Sequence, residues 1–191
     1  MAFRRLVSAN LGRGSAPPLL ATLTYGSNFT DLSAAYKHYS AFAQSLRRKF
    51  GHDFKYLCVP EFQERGAVHF HAFLWGLPEE LFLLERENRT VAQIWSHGFV
   101  DLKRTDGAGA LAGYLAKYLT KAYEDPRLKN QKAYTASRNI IRPEVFTGNF
   151  SADRILFELG VDSEPEVSRE YNTKWFGRAT YRKYKINHDE P

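Results

Sequence analysis

The stretch Glu61-Phe62-Gln63-Glu64-Arg65-Gly66-Ala67-Val68-His69-Phe70-His71 decides the fold. Phe54, Tyr56, Cys58 and Phe62 alternate with other residues before it, and Val68, Phe70, Ala72 and Leu74 alternate after it. That period of two is the mark of two strands with one buried face each. Between them lies Glu64-Arg65-Gly66, read as a three-residue hairpin loop in which Gly66 supplies a positive φ without a Cβ penalty. This loop length sets the register. Gln63 then opposes Ala67, Glu61 opposes His69 and Val59 opposes His71, and opposed residues share a face. Pro60 cannot donate to a ladder, so this arm is expected to be bulged there or unpaired on one side.

The register places His69 and His71 on the face opposite Val68, Phe70, Ala72 and Leu74, with Glu61 across from one of them. Two imidazoles and a carboxylate form a donor set for an open divalent-metal site. A His-x-His pair on a strand is also compatible with two ordinary structural histidines, so both readings stand at this point.

The 191 residues, 43 % hydrophobic and 15 % aromatic, suffice for one substantial core, and the expectation is a single domain over 1–191. No apolar run is long enough for a bilayer and the first fifteen residues lack a signal-peptide core, which predicts a soluble, cytoplasmic protein with no membrane partner. Cys58, the only cysteine, excludes an internal disulfide and a cysteine zinc framework, and its strand position predicts burial. The net charge of +6 and pI near 9.4 permit a polyanionic partner without requiring one.

Residues 1–18, with Arg4, Arg5, Arg13 and Pro17-Pro18, read as an irregular basic arm. Leu19–Tyr25 reads as the first strand, with Leu19, Ala21 and Leu23 on one side and Thr22 and Thr24 on the other. Those hydroxyls suit backbone contacts to a phosphate chain, and equally express plain strand propensity. Thr30 or Asp31 caps a packing helix carrying Leu32, Ala35, Tyr36, Tyr39, Ala43, Leu46 and Phe50, ended by Gly51. After the hairpin, a helical stretch begins at Pro78 and breaks near Asn88. Thr90 then caps a short helix with Val91, Ile94 and Trp95, terminated at Gly98, and Phe99–Leu102 reads as a strand. His97 reads as a capping or surface histidine.

Ala108–Glu124 is the second informative stretch. At helical spacing, Leu111, Leu115, Leu119, Ala112, Ala116 and Ala122 form an apolar stripe, while Tyr114, Tyr118, Lys117 and Lys121 fall together away from it. Two phenols one turn apart among lysines are an unusual solvated face. A phenol has an ordinary pKa of about 10, and neighbouring ammonium groups or a metal favour its phenolate. Such a phenolate can attack phosphorus, so the reaction class is transesterification of a phosphodiester to a phosphotyrosine.

Three segments in order, Ala21-Thr22-Leu23-Thr24, Val68-His69-Phe70-His71-Ala72 and Tyr114-Leu115-Ala116-Lys117-Tyr118 with Lys121, resemble the HUH endonucleases, specifically the two-tyrosine rolling-circle replication initiators of phages and plasmids. The resemblance implies an α+β fold with a central antiparallel sheet flanked by helices, a ferredoxin- or RRM-like palm. It implies His69, His71 and Glu61 as ligands for Mg²⁺ or Mn²⁺. Tyr118 is implied as the nucleophile and Tyr114 as a second one, with Lys117 and Lys121 positioning or neutralising phosphate and phenolate. The implied activity is nicking and joining of single-stranded DNA at a hairpin origin through a 5′-phosphotyrosine, in a bacterial or archaeal cell or the host cell of a virus. No Gly-x-x-x-x-Gly-Lys-[Ser/Thr] segment occurs in the 191 residues, so a host helicase, with a host polymerase, is the expected partner.

Lys132, Tyr134, Arg138 and Arg142 interleave cations with an aromatic, as single-strand binding requires, or form a solvated connection. Residues 143–191, with a strand expected at Arg154–Leu159 and a basic-aromatic tail from Lys174 to Tyr184, are an extension to which the sequence assigns no role. A two-tyrosine transposase is an alternative within the same chemistry, and a non-catalytic single-strand-binding module is the alternative outside it.

Overall fold

The computed structural model describes residues 2–10, 17–78, 89–104, 108–143, 152–161, 164–173 and 177–184. The chain divides into two compact units, Met1–Pro143 and Glu144–Pro191. In the first unit α1 (Ala2–Ala9) leads into β1 (Leu19–Tyr25), α2 (Leu32–Phe50), β2 (Lys55–Phe62), β3 (Val68–Trp75), α3 (Arg89–Trp95), β4 (Gly98–Lys103), α4 (Ala108–Glu124), a 3-10 turn (Pro126–Leu128) and β5 (Thr135–Ala136). The strands form one antiparallel sheet in the order β4-β1-β3-β2-β5, so the fold is α+β with the sheet flanked by helices, as expected.

The hairpin has the register that a three-residue loop imposes. Gln63 N–H donates to Ala67 O (2.9 Å), Gly66 N–H donates to Gln63 O (2.8 Å), and Gly66 takes φ +91°. Glu61 pairs with His69 and Val59 with His71. Pro60 lies beyond the short pairing of β2 with β5, which involves Leu57 and Cys58, so its missing N–H breaks no bond on that side.

One face of the sheet carries Leu19, Ala21, Leu23, Cys58, Val68, Phe70, Ala72 and Leu74, all buried against α2 and α3 through Ala35, Tyr39, Phe42, Leu46, Val91 and Trp95. Asp31 caps α2 by accepting from Ala34 N–H (3.0 Å), and Gly51 closes it. Arg47, Arg48 and Lys49 in its last turn complement the negative end of the helix dipole.

The opposite face is also covered, which corrects the expectation of one core face and one open face. All eight residues of β3 are buried. Leu20, Leu57, Val59, Phe73 and Trp75 form a second core with Leu6 and Val7 of α1 and Leu119 and Ala122 of α4. The basic arm is therefore corrected over Ala2–Ala9, which is a helix. Its Leu6 and Val7 bury apolar surface, and Asn10 locks its end by donating to Leu6 O (2.8 Å) and Ile141 O (2.7 Å) and accepting from Ile141 N–H.

Other expectations shift in detail. Thr90 lies inside α3, and the helix stops at Ser96, which adopts φ +54°; Gly98 instead starts β4. The helical stretch expected between Pro78 and Asn88 falls on 79–88, outside the described residues. In the second unit, Arg154–Leu159 is not a strand: Ala152–Glu158 forms helix α5, supported by the Arg154–Glu158 pair one turn apart (3.0 Å). It is followed by the hairpin β6 (Val167–Thr173) and β7 (Gly177–Lys183). Among the described residues no helix is long and apolar enough to cross a membrane.

Two glycines separate conformational from steric demand. An alanine Cβ at Gly66 would have Thr30 Cγ2 as its nearest neighbour, at 3.7 Å, so Gly66→Ala meets only the positive-φ penalty, about 1–2 kcal/mol. At Gly98 the Cβ would lie 2.3 Å from Thr24 O and 2.4 Å from Gly26 N, so β4 would have to leave β1. Urea denaturation is expected to rank Gly98→Ala as clearly the more destabilising of the two; equal losses would contradict this packing.

Candidate active site

The second sheet face is divided along its length. Towards one end Leu20, Phe73, Trp75 and Leu57 are sealed under α1 and α4. Towards the hairpin turn the same face carries Thr22 and Thr24 from β1, His69 and His71 from β3, and Glu61 from β2, aligned by the ladders Thr24↔His69↔Glu61 and Thr22↔His71. The candidate site is this polar half.

Helix α4 reaches it from above. Leu119 and Ala122 fix the helix in the second core, and this packing lays the Tyr118 ring on His71, with ring centroids 3.6 Å apart and planes 18° apart. The tyrosines were expected on the side away from the core; Tyr118 instead sits at the rim of the second core, partly buried against it. Its hydroxyl donates to Tyr114 Oη (3.0 Å), and Tyr114 remains 37 % exposed.

Glu61 is the electrostatic hub. Its Oε2 accepts from His71 Nε2 (2.7 Å) and its Oε1 from Lys121 Nζ (2.6 Å). Proton occupancy of His71 Nε2 leaves Nδ1 to accept from the Thr22 hydroxyl, 3.4 Å away. Burial by itself would raise the Glu61 pKa, but the hydrogen bonds and charges of His71 and Lys121 outweigh it and hold the carboxyl at about 2. The Lys121 ammonium also stands 5.5 Å from the Tyr118 ring centre. Beyond the Glu61–Lys121 pair opens a cleft of about 490 Å³ lined by Phe62, Arg127 and Leu128 among others, with the Arg127 guanidinium 4.2 Å from the centre of the Phe62 ring.

The phenolate expectation needs correction. Burial, the Tyr114 hydroxyl and the Glu61 charge raise the Tyr118 pKa above its ordinary value rather than lowering it, so the resting group is a neutral phenol. The lysine meant to favour the phenolate is committed to Glu61.

Among the described residues no three His, Cys, Asp or Glu side chains are assembled to hold a metal ion. The ring centroids of His69 and His71 are 6.5 Å apart, and Glu61 is occupied by hydrogen bonds. The donor chemistry nevertheless fits a divalent cation. His69 Nε2 is buried without a hydrogen-bond partner, an arrangement that costs free energy unless something binds there. Burial first, then the His71 and Arg65 charges, depress the His69 pKa to about 4 against the pull of Glu61, so this imidazole stays neutral and able to ligate.

The remaining sequence candidates separate from this cluster. Lys117 is exposed on α4. Lys132, Arg138 and Arg142 are on the β5 side of the sheet, while Tyr134 is half-buried against the second core. Their segment is stapled to β2, with Ser137 Oγ accepting from Tyr56 N–H (3.1 Å) and Asn139 Nδ2 donating to Phe54 O (3.2 Å). Arg65 was missed by the sequence reading. Its guanidinium donates to Tyr25 O (3.1 Å) and lies in the field of His69, and its place in the turn beside Gly66 was the available signal.

The shifts give a pH dependence with a definite sign. The unfolded chain protonates His69 near pH 6.5, whereas the folded one resists until about 4, so acidification across that window favours unfolding. Glu61 acts in the same direction lower down: its stabilisation is complete above 4.5 and decays as pH falls towards 2. In chelator-treated protein the urea midpoint is expected to fall between pH 6.5 and 4, less steeply in His69→Gln. Parallel curves for the two proteins would contradict the assignment.

A family model described as a replication-associated protein of the ORF2 type matches residues 18–123, more than half of the chain. No curated protein and no solved structure matches it. The matched span opens just before β1 and closes at the end of α4, so it encloses Thr22, Glu61, His69, His71, Tyr114, Tyr118 and Lys121. The chain belongs to this family of replication-associated proteins.

Proposed function

We propose that this protein initiates and terminates rolling-circle replication by nicking and rejoining single-stranded DNA through a 5′-phosphotyrosine. The observation that carries the reading is the Tyr118 ring stacked on His71 at 3.6 Å, with Glu61 and Lys121 bonded into the same cluster. A phenol held at a carboxylate, two imidazoles and an ammonium group supplies a nucleophile, cation ligands and a phosphate counter-charge within one sheet face.

In the forward step Tyr118 Oη attacks the scissile phosphorus. The new O–P bond forms as the bond from phosphorus to the 3′ oxygen breaks; the phenol loses its proton and the departing 3′ oxygen gains one, so protons balance. The products are a 5′-phosphotyrosine and a free 3′-hydroxyl that a polymerase can extend. A divalent cation, Mg²⁺ or Mn²⁺, held by His69, His71 and Glu61 would polarise a non-bridging phosphate oxygen and favour the phenolate. Because the resting phenol is disfavoured as phenolate, ionisation is tied to arrival of positive charge and substrate. Lys121, half-exposed, can release Glu61 and turn to the phosphate. Lys117, on the same helix, contributes to the phosphate field, as do Thr22 and Thr24 through backbone contacts. The basic-aromatic segment with Lys132, Tyr134, Arg138 and Arg142 is assigned to the flanking strand.

Tyr114 gives the second reaction its nucleophile. After one round of synthesis it attacks the regenerated junction, and the released 3′-hydroxyl attacks the Tyr118 phosphotyrosine to close the displaced strand. The first tyrosine is regenerated by that step. Unwinding is assigned to a host helicase.

Incubation with a random single-stranded oligonucleotide pool and Mn²⁺ is expected to give a covalent adduct resistant to denaturation, mapped to Tyr118 by mass spectrometry. Tyr118→Phe is expected to reduce first-turnover adduct at least about a hundredfold, Tyr114→Phe to retain it, and EDTA to abolish it. An adduct formed by Tyr118→Phe at the parental rate, or no adduct from the parent on any origin hairpin, would sink the proposal.

A further inference from the structure

The row of the sheet that contains Glu61 and His69 extends one strand further than the site described above. Thr24 pairs with His69 on one side and with Phe99 of β4 on the other, giving the continuous row Glu61, His69, Thr24, Phe99. Val100 and Leu102 of β4 pack into the first core, so alternation along the strand turns Phe99 to the face that carries the site. There it is 72 % exposed. A phenyl ring left in water on an edge strand forgoes its burial energy and offers a sticky edge, which folded proteins normally avoid.

We infer that Phe99 is a base-stacking platform for the single strand held at the site, one that positions a nucleotide a short distance from the scissile phosphate. The inference rests on the reading of the site as one that acts on single-stranded DNA. Neighbouring strands lie about 4.8 Å apart, so Phe99 stands roughly 10 Å from His69 along the row, within reach of a few nucleotides. Thr24 lies between them with a hydroxyl for the intervening backbone. Lys103, four residues along β4, shares the face and neutralises Asp101 between them (3.0 Å). A nucleobase fits the exposed ring better than another apolar partner does. The chain carries a net charge of +6, and the ring continues a row of polar groups rather than an apolar patch.

Stacking on an aromatic ring is sequence-tolerant and contributes enough that its loss weakens binding by about tenfold or more. The test uses the full-length chain and a fluorescein-labelled random single-stranded pool about 20 nucleotides long, enough to span the site and its flanks. Phe99→Ala is expected to raise Kd about tenfold, leave the slope of log affinity against log salt unchanged because no phosphate contact is lost, and leave Tm and molecular mass unchanged. Phe99→Trp is expected to restore affinity and to show indole quenching on binding. Parental affinity in Phe99→Ala overturns the inference, as does a lowered Tm or altered mass, which would mean that protein covers the ring. If the parent binds the pool but forms no adduct, the nicking reading fails while stacking stands. If it forms adduct and Phe99→Ala binds normally, stacking alone fails, and a parent that binds no single strand overturns both.

Discussion

Everything in the first unit hangs on the register of one hairpin. Gly66, at φ +91°, lets the chain reverse in three residues, and the count of three decides that Glu61 faces the same way as His69 and His71. A slip by one residue would send Glu61 into the first core beside Phe70 and bring Pro60 or Phe62 to the site, since side chains alternate strictly. The cost of misregister is therefore large on both faces. Val68, Phe70, Ala72 and Leu74 lose their core, and a carboxylate enters it. Because β3 is the central strand, with β1 on its other side, this register also fixes Thr22 opposite His71 and Thr24 opposite His69.

Given that register, electrostatics explain why the resting cluster is closed. A carboxylate at the edge of a core needs partners, and Glu61 finds two, His71 and Lys121. These partners hold it ionised, yet they occupy the oxygens that a cation would use. The same carboxylate adds to burial and to the Tyr114 hydroxyl in keeping Tyr118 protonated. A site of this kind has its nucleophile switched off until charge is redistributed. His69 is the exception, since its buried Nε2 has no partner to surrender.

Much of this was legible from residue patterns because the decisive features are local. Period-two alternation located β1, β2 and β3, a capping aspartate and a glycine bounded α2, and a three-residue loop fixed the register. What escaped notice is long-range. Nothing near Leu6 and Val7 says that they will be needed to seal Phe73 and Trp75, so a basic segment read as an arm is a helix. The apolar residues of the second face, Leu20, Leu57, Val59, Phe73 and Trp75, were visible in the sequence, and their number already required a cover. Ile155, Leu156 and Phe157 show no period, so the strand expected there had little to stand on against an i,i+4 ion pair. The Glu61–Lys121 pair spans 60 residues and could only follow from knowing how α4 lies.

The placement of α4 joins stability to chemistry. Leu119 and Ala122 belong to the second core, while Tyr118, between them and Tyr114 in sequence, lies on His71. The helix cannot rotate to improve one contact without disturbing the other, because about 100° per residue ties Tyr118 to its neighbours. Core packing is thus what aims the phenol, with no dedicated hydrogen bond to the sheet doing so. The same rigidity bears on the use of two tyrosines. Tyr114 lies one turn away, roughly 6 Å along the helix, and its hydroxyl already bonds to that of Tyr118. Exchange of roles then needs movement of side chains and DNA over about one turn rather than movement of the helix, and the exposed position of Tyr114 leaves it free to make that movement while the core stays shut.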